Sequence, residues 1–154
     1  MRKVIIACAL ALICGVPSAF GHDYEIGALR IGHPYAGATL PGGKNGAAYL
    51  SVTNTGQTAS RLTSASTTAA KQTELHESIV EGGIARMRPV ERPLVIEPGA
   101  TLKLEPRSHH LMLIGLTNPL VAGDRIKLVL SFEPEGDVEV ELAIEPVAAR
   151  AHQH

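Results

Sequence analysis

Short apolar runs separated by turn residues constrain the fold of this chain more than any other feature. From Tyr24 onward the runs are brief or alternate apolar with polar positions, and none keeps the 3.6-residue period of an amphipathic helix. Clusters of Gly, Pro and Asn separate the runs, for example at Pro41–Gly46, Glu81–Gly83 and Pro134–Gly136. The pattern predicts an all-β protein.

Ten strands are predicted, and a chain of 154 residues is long enough to bury them around one core. Many short strands at close spacing favour a single-domain sandwich or barrel with Greek-key connections. The predicted strands are Glu25–Arg30, Ala47–Thr53, Arg61–Ser66, Gln72–Val80, Ile84–Pro89, Leu94–Ile96, Thr101–Leu104, Leu111–Leu116, Arg125–Phe132 and Val138–Ile144.

The N-terminus has the layout of a secretory signal peptide. Basic residues precede an apolar run that ends at Pro17, ahead of small residues. Cleavage after Gly21 would leave His22 as the first mature residue, and cleavage after Ala19 is the close alternative. A third possibility is a lipoprotein anchor at Cys14, although Ile13 before it is not the small residue that such a site normally carries. We therefore predict a signal peptide at 1–21, a β-domain at 22–148 and a tail at 149–154.

Composition excludes several classes of function. Both cysteines of the chain, Cys8 and Cys14, lie in the predicted signal, so the mature domain has no thiol for a disulfide, a metal thiolate or catalysis. The formal net charge of -1 indicates no basic surface for the phosphates of nucleic acid, and 3% aromatic residues offer few rings on which bases could stack. No later segment approaches the roughly 20 apolar residues of a membrane-spanning helix. We expect a monomer without a membrane span in its mature form.

The two methionines that remain after signal removal each lie close to a histidine. Met87 follows His76 across a predicted hairpin, and Met112 lies two residues after His110. Thioether and imidazole groups together form the ligand set that suits Cu(I), a soft ion. An isolated Met in a strand is more often a core residue, but the repeated pairing with His predicts a copper site at His76, Met87, His110 and Met112.

The loop of the Gln72–Pro89 hairpin decides whether His76 and Met87 share a face. A two-residue loop at Glu81-Gly82 places them directly opposite each other, and a loop at Gly82-Gly83 places Met87 opposite Ser78, still on the face of His76. A three-residue loop would send the two side chains to opposite faces unless a bulge restored the phase. All three registers are open at this point.

Alternation along one strand selects His110 rather than His109 as the partner of Met112. Side chains two residues apart project to the same face of a strand, whereas His109 and Leu111 project to the other. Glu74 and Glu77, close to His76, could contact the ligands or be solvated, and solvation is favoured.

These segments resemble the motif blocks of the periplasmic copper chaperones called the PCu(A)C family. The blocks are Glu74-Leu75-His76-Glu77, Met87-Arg88-Pro89-Val90-Glu91 and His110-Leu111-Met112-Leu113-Ile114-Gly115-Leu116, with Gly46-Ala47-Ala48-Tyr49-Leu50 and Thr53-Asn54-Thr55-Gly56 upstream. The spacing is similar to that of the family, although the gap of twenty-two residues between Met87 and His110 is one longer. Tyr35 and Gly37 stand where the family usually has a Trp and a basic residue.

The resemblance implies a cupredoxin-like β-barrel that binds Cu(I) in the periplasm. It also implies transfer of the ion by ligand exchange to the CuA site of cytochrome c oxidase subunit II, or to a thiol copper chaperone. Such a carrier is not an enzyme. Two other functions remain open: a copper-dependent redox enzyme with a His-based Cu(II) site, and a metal-free β-sandwich that binds other proteins. A second, Cu(II) site is possible at His152 and His154 of the tail or at His22.

Overall fold

A computed structural model describes residues 23–146 of the chain. The predicted signal peptide and the histidines at 22, 152 and 154 lie outside these residues. The described part folds into strands connected by turns, and it contains no helix long and apolar enough to cross a membrane.

Eleven strands follow one another along the described part of the chain. They are β1 (Tyr24–Ile26), β2 (Leu29–Gly37), β3 (Asn45–Asn54), β4 (Ser60–Ser66), β5 (Ala70–Glu81), β6 (Ile84–Pro89), β7 (Leu94–Ile96), β8 (Thr101–Leu104), β9 (His109–Leu116), β10 (Arg125–Glu133) and β11 (Gly136–Glu145). The predicted all-β, single-domain fold is confirmed.

The strands form one curled sheet in the order β6-β5-β9-β3-β2-β11-β10-β4-β7. Strand β3 pairs with β2 from Ala48 to Asn54, while its other edge pairs first with β9 and then with β8. The pair β2 and β11 is parallel, and the other pairs are antiparallel. This order places β5 and β9, far apart in sequence, side by side.

Alternation along β9 separates the core from the opposite face of the sheet. Leu111 and Leu113 are buried in the core, where they join Leu128, Leu130 and other aliphatic side chains. Each such leucine stabilises the fold by about 1.5–3 kcal/mol relative to an exposed position. Because side chains alternate, the neighbouring His110 and Met112 lie on the face that points away from this core.

Asn54 fixes the end of β3 by hydrogen bonds from its buried amide. Its Nδ2 donates to the carbonyl oxygens of Thr58 and Ile96, at 2.8 and 2.9 Å, and its Oδ1 accepts from the backbone N–H of Gly56. The asparagine of the Thr53–Gly56 block therefore has a structural role, which ties β3 to its following turn and to β7.

One predicted strand is wrong. The segment Glu25–Arg30 is not continuous, because Gly27 has a positive φ of 56° and turns the chain between β1 and β2, where Ile26 pairs with Leu29. The positive φ is accessible to glycine at little cost. The prediction also ended too early, because β2 continues to Gly37. The other observed strands match the predicted ones or extend them by a few residues.

Candidate metal centre

His76 and His110 form a directly opposed pair on neighbouring strands β5 and β9. Their ring centroids lie 6.0 Å apart, with 52° between the ring planes. His110 is buried, with 3% of its surface exposed, and His76 is partly buried. The sheet thus places two imidazoles from distant segments side by side on its outer face.

Each of these rings has one nitrogen with a hydrogen-bond acceptor and one nitrogen without a partner. The Nε2 of His76 lies 2.9 Å from Oε2 of Glu74, and the Nδ1 of His110 lies 3.1 Å from the carbonyl oxygen of Ser108. The Nδ1 of His76 and the Nε2 of His110 are buried and make no hydrogen bond. In a neutral ring the acceptor fixes the N–H, so the free nitrogen carries a lone pair.

The lone pairs of Nδ1 of His76 and Nε2 of His110 are buried and accept no hydrogen bond, which suits them to bind a metal ion. A buried polar atom without a partner costs about 1–3 kcal/mol, and imidazole nitrogens of this kind are common metal ligands. Carboxylate or carbonyl groups that accept the other N–H are the usual supports of such ligands, since they fix the ring orientation and raise its basicity.

Met112 lies on the same face as the two histidines. It is two residues beyond His110 on β9, is partly buried, and pairs across the sheet with Glu74 of β5. Because residues 74 and 76 share a face of their strand, Met112 and both imidazoles border one patch of the sheet.

Met87 reaches the same face through the β5–β6 hairpin. Gly82 and Gly83 form a two-residue loop with φ of 58° and 80°, which corresponds to the hairpin turn with two left-handed residues. Met87 pairs with Ser78, and His76 pairs with Pro89. Of the three registers that the sequence allows, the structure has the Gly82-Gly83 loop, and Met87 remains 65% exposed at the rim.

His109 belongs to the other face of the sheet, together with Glu77. The Nε2 of His109 lies 3.7 Å from a Glu77 oxygen, and the Nε of Arg88 donates to Glu77 at 2.6 Å. The hydrogen bond from Arg88 is the main cause that lowers the pKa of Glu77 below its ordinary value. These contacts lie on the reverse of the His76 face, as the alternation predicts.

The favoured expectation of a solvated Glu74 is wrong. Its carboxylate contacts His76, because residues two apart on a strand point the same way. Glu77 is likewise paired, though on the opposite face. Sequence reasoning also missed Ser108, whose role depends on its backbone carbonyl and carries no side-chain signal.

Aromatic rings continue the histidine pair across the outer face of the sheet. Tyr49 lies 6.4 Å from His110 between ring centroids, Tyr35 lies 5.1 Å from Tyr49, and His33 lies 4.9 Å from Tyr35. The packed rings help to exclude water from the inner side of His110. Tyr35 stands where the family usually has a Trp, and it is part of this row of packed rings.

The model of one protein family, described as "Putative lipoprotein LpqE-like", matches residues 29–144, which include the four candidate Cu(I) ligands. The chain belongs to the LpqE-like family. A curated relative, the putative lipoprotein Lxx21020 of Leifsonia xyli subsp. xyli, is 37% identical over 86 residues, which are 56% of this chain and 52% of that protein. This LpqE-like chain spans about half the length of the curated relatives it matches.

Solved structures confirm the resemblance to PCuAC domains. The apo PCuAC domain from PmoF1 superposes with a TM-score of 0.71 at 25% identity, over 81% of this chain and 99% of that domain. The Cu(I) form of DR1885 from Deinococcus radiodurans superposes with a TM-score of 0.61 at 26% identity, over 82% of this chain and 83% of that one. The LpqE-like chain therefore has the PCuAC fold.

Proposed function

We propose that this protein is a carrier of Cu(I), which it binds through His76, Met87, His110 and Met112. The four side chains come from β5, β6 and β9 and share the outer face of the sheet. Two neutral imidazoles and two thioethers add no charge, so the complex keeps the single positive charge of the ion beside the Glu74 carboxylate.

One observation carries this proposal: the two imidazoles have complementary free nitrogens. The Nδ1 of His76 and the Nε2 of His110 are buried without partners on opposed residues, while their other nitrogens have acceptors. Two thioethers beside these nitrogens favour a soft cation over Mg²⁺ or Ca²⁺, which bind oxygen ligands. The structure of DR1885 with Cu(I) supports the same choice of metal.

The difference in exposure among the ligands suits transfer of the ion. Met87 is 65% exposed at the rim, whereas His110 is 3% exposed inside the site. An incoming sulfur ligand can therefore replace Met87 first and the histidines last. Cu(I) stays in the same oxidation state throughout, and no covalent bond of a substrate is broken, so we propose a carrier rather than an enzyme.

The acceptor that we propose is the CuA site of cytochrome c oxidase subunit II, or a thiol copper chaperone upstream of it. The test is anaerobic transfer from the Cu(I)-loaded protein to the purified soluble domain of subunit II, followed by separation and metal analysis. Copper should appear in the acceptor, and not in an acceptor whose CuA cysteines are replaced by serine. Retention of copper by the carrier with both acceptors would contradict delivery to this site.

We place the carrier in the periplasm, released by cleavage after the predicted signal at 1–21. The description of the family as putative lipoproteins supports export and makes the Cys14 anchor worth a direct test. The mass of the protein recovered from the periplasm distinguishes the two. A soluble form that begins at His22 or Phe20 supports the signal peptide, whereas a membrane-bound, lipid-modified form that begins at Cys14 contradicts it.

We also propose a second site, for Cu(II), at His152 and His154, with His22 as a further candidate ligand. All three residues lie outside 23–146. Cu(II) titration followed by electron paramagnetic resonance should lose one nitrogen-rich signal in a variant with both tail histidines replaced by alanine. An unchanged signal would contradict the tail site.

A further inference from the structure

Strand β6, which carries Met87, lies at one end of the sheet order. Within residues 23–146 it pairs with β5 alone, and all six of its side chains are exposed. A strand in this position presents backbone N–H and C=O groups that can pair with another extended segment.

The register shows which backbone groups of β6 face outward. Hydrogen-bonded and non-hydrogen-bonded pairs alternate in an antiparallel ladder, and the N–H of Val90 bonds to the carbonyl of Leu75 at 2.8 Å. Counting back from Val90, Arg88, Arg86 and Ile84 bond inward to β5. The N–H and C=O groups of Ala85 and Met87 therefore point to the free edge. The carbonyl of Pro89 points the same way, and proline has no backbone N–H.

Side chains along this edge have different chemistry on the two faces. Ala85 and Met87 lie on the face of the metal centre, and Arg86 and Arg88 lie on the other. Arg88 bonds to Glu77, whereas Arg86 makes no ion pair with any residue in the described part of the chain. Pairing β6 with itself in a second copy would bring arginine against arginine, which disfavours a homodimer through this edge.

We propose that β6 is the docking strand for the copper acceptor, a proposal that rests on the proposed function. The occupant is an extended acceptor segment in which a sulfur residue, Met or Cys, is flanked by two acidic residues. When the sulfur residue pairs with Met87, its neighbours lie opposite Arg86 and Arg88. Strand addition of this kind takes affinity from the backbone and specificity from alternate side chains.

This geometry couples docking to the transfer step. Side chains of directly paired residues on neighbouring strands lie about 4.5–5.5 Å apart between Cβ atoms. The incoming sulfur would therefore stand beside Met87 on the face of the copper ligands. The Cu–S bond to Met87 breaks as the bond to the incoming sulfur forms, and a Cys donor releases its proton to water.

The probe is an acetylated, amidated peptide of sequence Thr-Val-Glu-Met-Glu-Val-Thr, added to the apo and the Cu(I)-loaded protein. We expect slower hydrogen exchange at the amides of Ala85 and Met87 in both forms. A peptide with Lys in place of both Glu residues should bind about tenfold more weakly, because two exposed carboxylate–arginine contacts become contacts between like charges.

Two variants, with one control, test the backbone and the charge of this edge. Ala85→Pro removes one outward N–H and should weaken peptide binding about tenfold, while Ala85→Ser keeps the N–H and should bind like the parent. Arg86→Glu leaves the backbone intact and should remove the preference for the Glu peptide, because each peptide then makes one attractive and one repulsive charge contact with residues 86 and 88. Cu(I) affinity, measured without peptide, should be unchanged in all three variants because neither residue is a copper ligand.

The outcomes separate this proposal from the function on which it rests. Cu(I) binding without protection of Ala85 and Met87, or with a parent that binds both peptides equally, overturns the docking strand. An Arg86→Glu variant that keeps the parent's full preference for the Glu peptide overturns it as well. Protection of these amides in a protein that takes up no Cu(I) supports the strand addition and contradicts the carrier function.

Discussion

The two histidines of the site contact their hydrogen-bond acceptors through different ring nitrogens, Nε2 in His76 and Nδ1 in His110. A side-chain carboxylate, Glu74, accepts from His76, and a backbone carbonyl, that of Ser108, accepts from His110. The nitrogens left over are Nδ1 of His76 and Nε2 of His110. The rings lie side by side on neighbouring strands, with centroids 6.0 Å apart, so these different tautomers leave one buried lone pair on each ring of the pair.

Replacement of Glu74 by alanine should weaken Cu(I) binding without unfolding the protein. Loss of a carboxylate that supports a metal-bound histidine typically lowers metal affinity about 10–100-fold. Competition with a chromophoric Cu(I) chelator measures the change. Nitrogen NMR of the imidazoles should also show that His76 no longer keeps its proton on Nε2.

The matched control for this experiment is Glu77→Ala. Glu77 is adjacent to His76 along the chain, closer than Glu74, but it lies on the opposite face and bonds to Arg88. Equal losses of Cu(I) affinity in both variants would contradict a specific role of the Glu74 carboxylate.

The β5–β6 hairpin decides whether the fourth ligand reaches the site. Its turn requires left-handed backbone at Gly82 and Gly83, with φ of 58° and 80°. A side chain with a branched Cβ is strained there by about 1–2 kcal/mol. The loop therefore fixes the register that puts Met87 on the face of His76.

Gly83→Val should open the hairpin and weaken Cu(I) binding. Hydrogen exchange at the inward amides of β6, such as Arg86, should become faster, and Cu(I) affinity should fall because Met87 is no longer held beside the site. Gly82→Asn is the control, since Asn-Gly is the preferred sequence for this turn. Exchange in Gly83→Val as slow as in the control would show that the register does not depend on the turn.

Strand positions followed closely from the sequence, whereas the hairpin register did not. Apolar alternation and turn residues located Ile84–Pro89, Leu94–Ile96 and Thr101–Leu104 with the bounds that the structure has. Gly82 and Gly83 accept several turn types, so the sequence left three registers open. Gly27 was missed as a turn because it stands alone among strand-forming residues.

At the scale of the whole molecule, pairing between distant strands creates the site. His76 and His110 meet because β9 lies between β5 and β3 in the sheet. Strand patterns show which residues share a face of one strand, but they do not specify the neighbour of that strand. The resemblance to PCu(A)C motifs supplied the expectation that the four ligands form one site, whereas the pairing of β5 with β9 and the contacts of Glu74 and Ser108 depend on the three-dimensional structure.

A cross-strand ion pair predicts how the stability of the fold responds to alkaline pH. Lys127 donates to Glu139 at 2.8 Å across β10 and β11, and this hydrogen bond is the main cause that raises the pKa of Lys127 above its ordinary value. The pair therefore stabilises the fold below the pKa of the unfolded chain, and the stabilisation is lost as pH rises through the folded value.

Thermal unfolding of the parent and Lys127→Met should converge as pH rises from about 9 to about 12. The parent should have the higher Tm at the lower pH and lose this advantage at the higher pH. The control is Lys103→Met. Lys103 is exposed on β8 and makes no ion pair within residues 23–146. A constant Tm difference for Lys127→Met across this range would contradict the assignment.

The central claim is that His76, Met87, His110 and Met112 bind one Cu(I) ion. Its most direct test is an anaerobic Cu(I) titration of the mature protein against a competing chromophoric chelator. The Met87→Leu, Met112→Leu double variant is measured beside it. The exposed Val80→Leu on the same hairpin is the control for a change of aliphatic surface. We predict one tight equivalent in the parent and in the control and none in the double variant. Equally weak binding in all three proteins would contradict the carrier function.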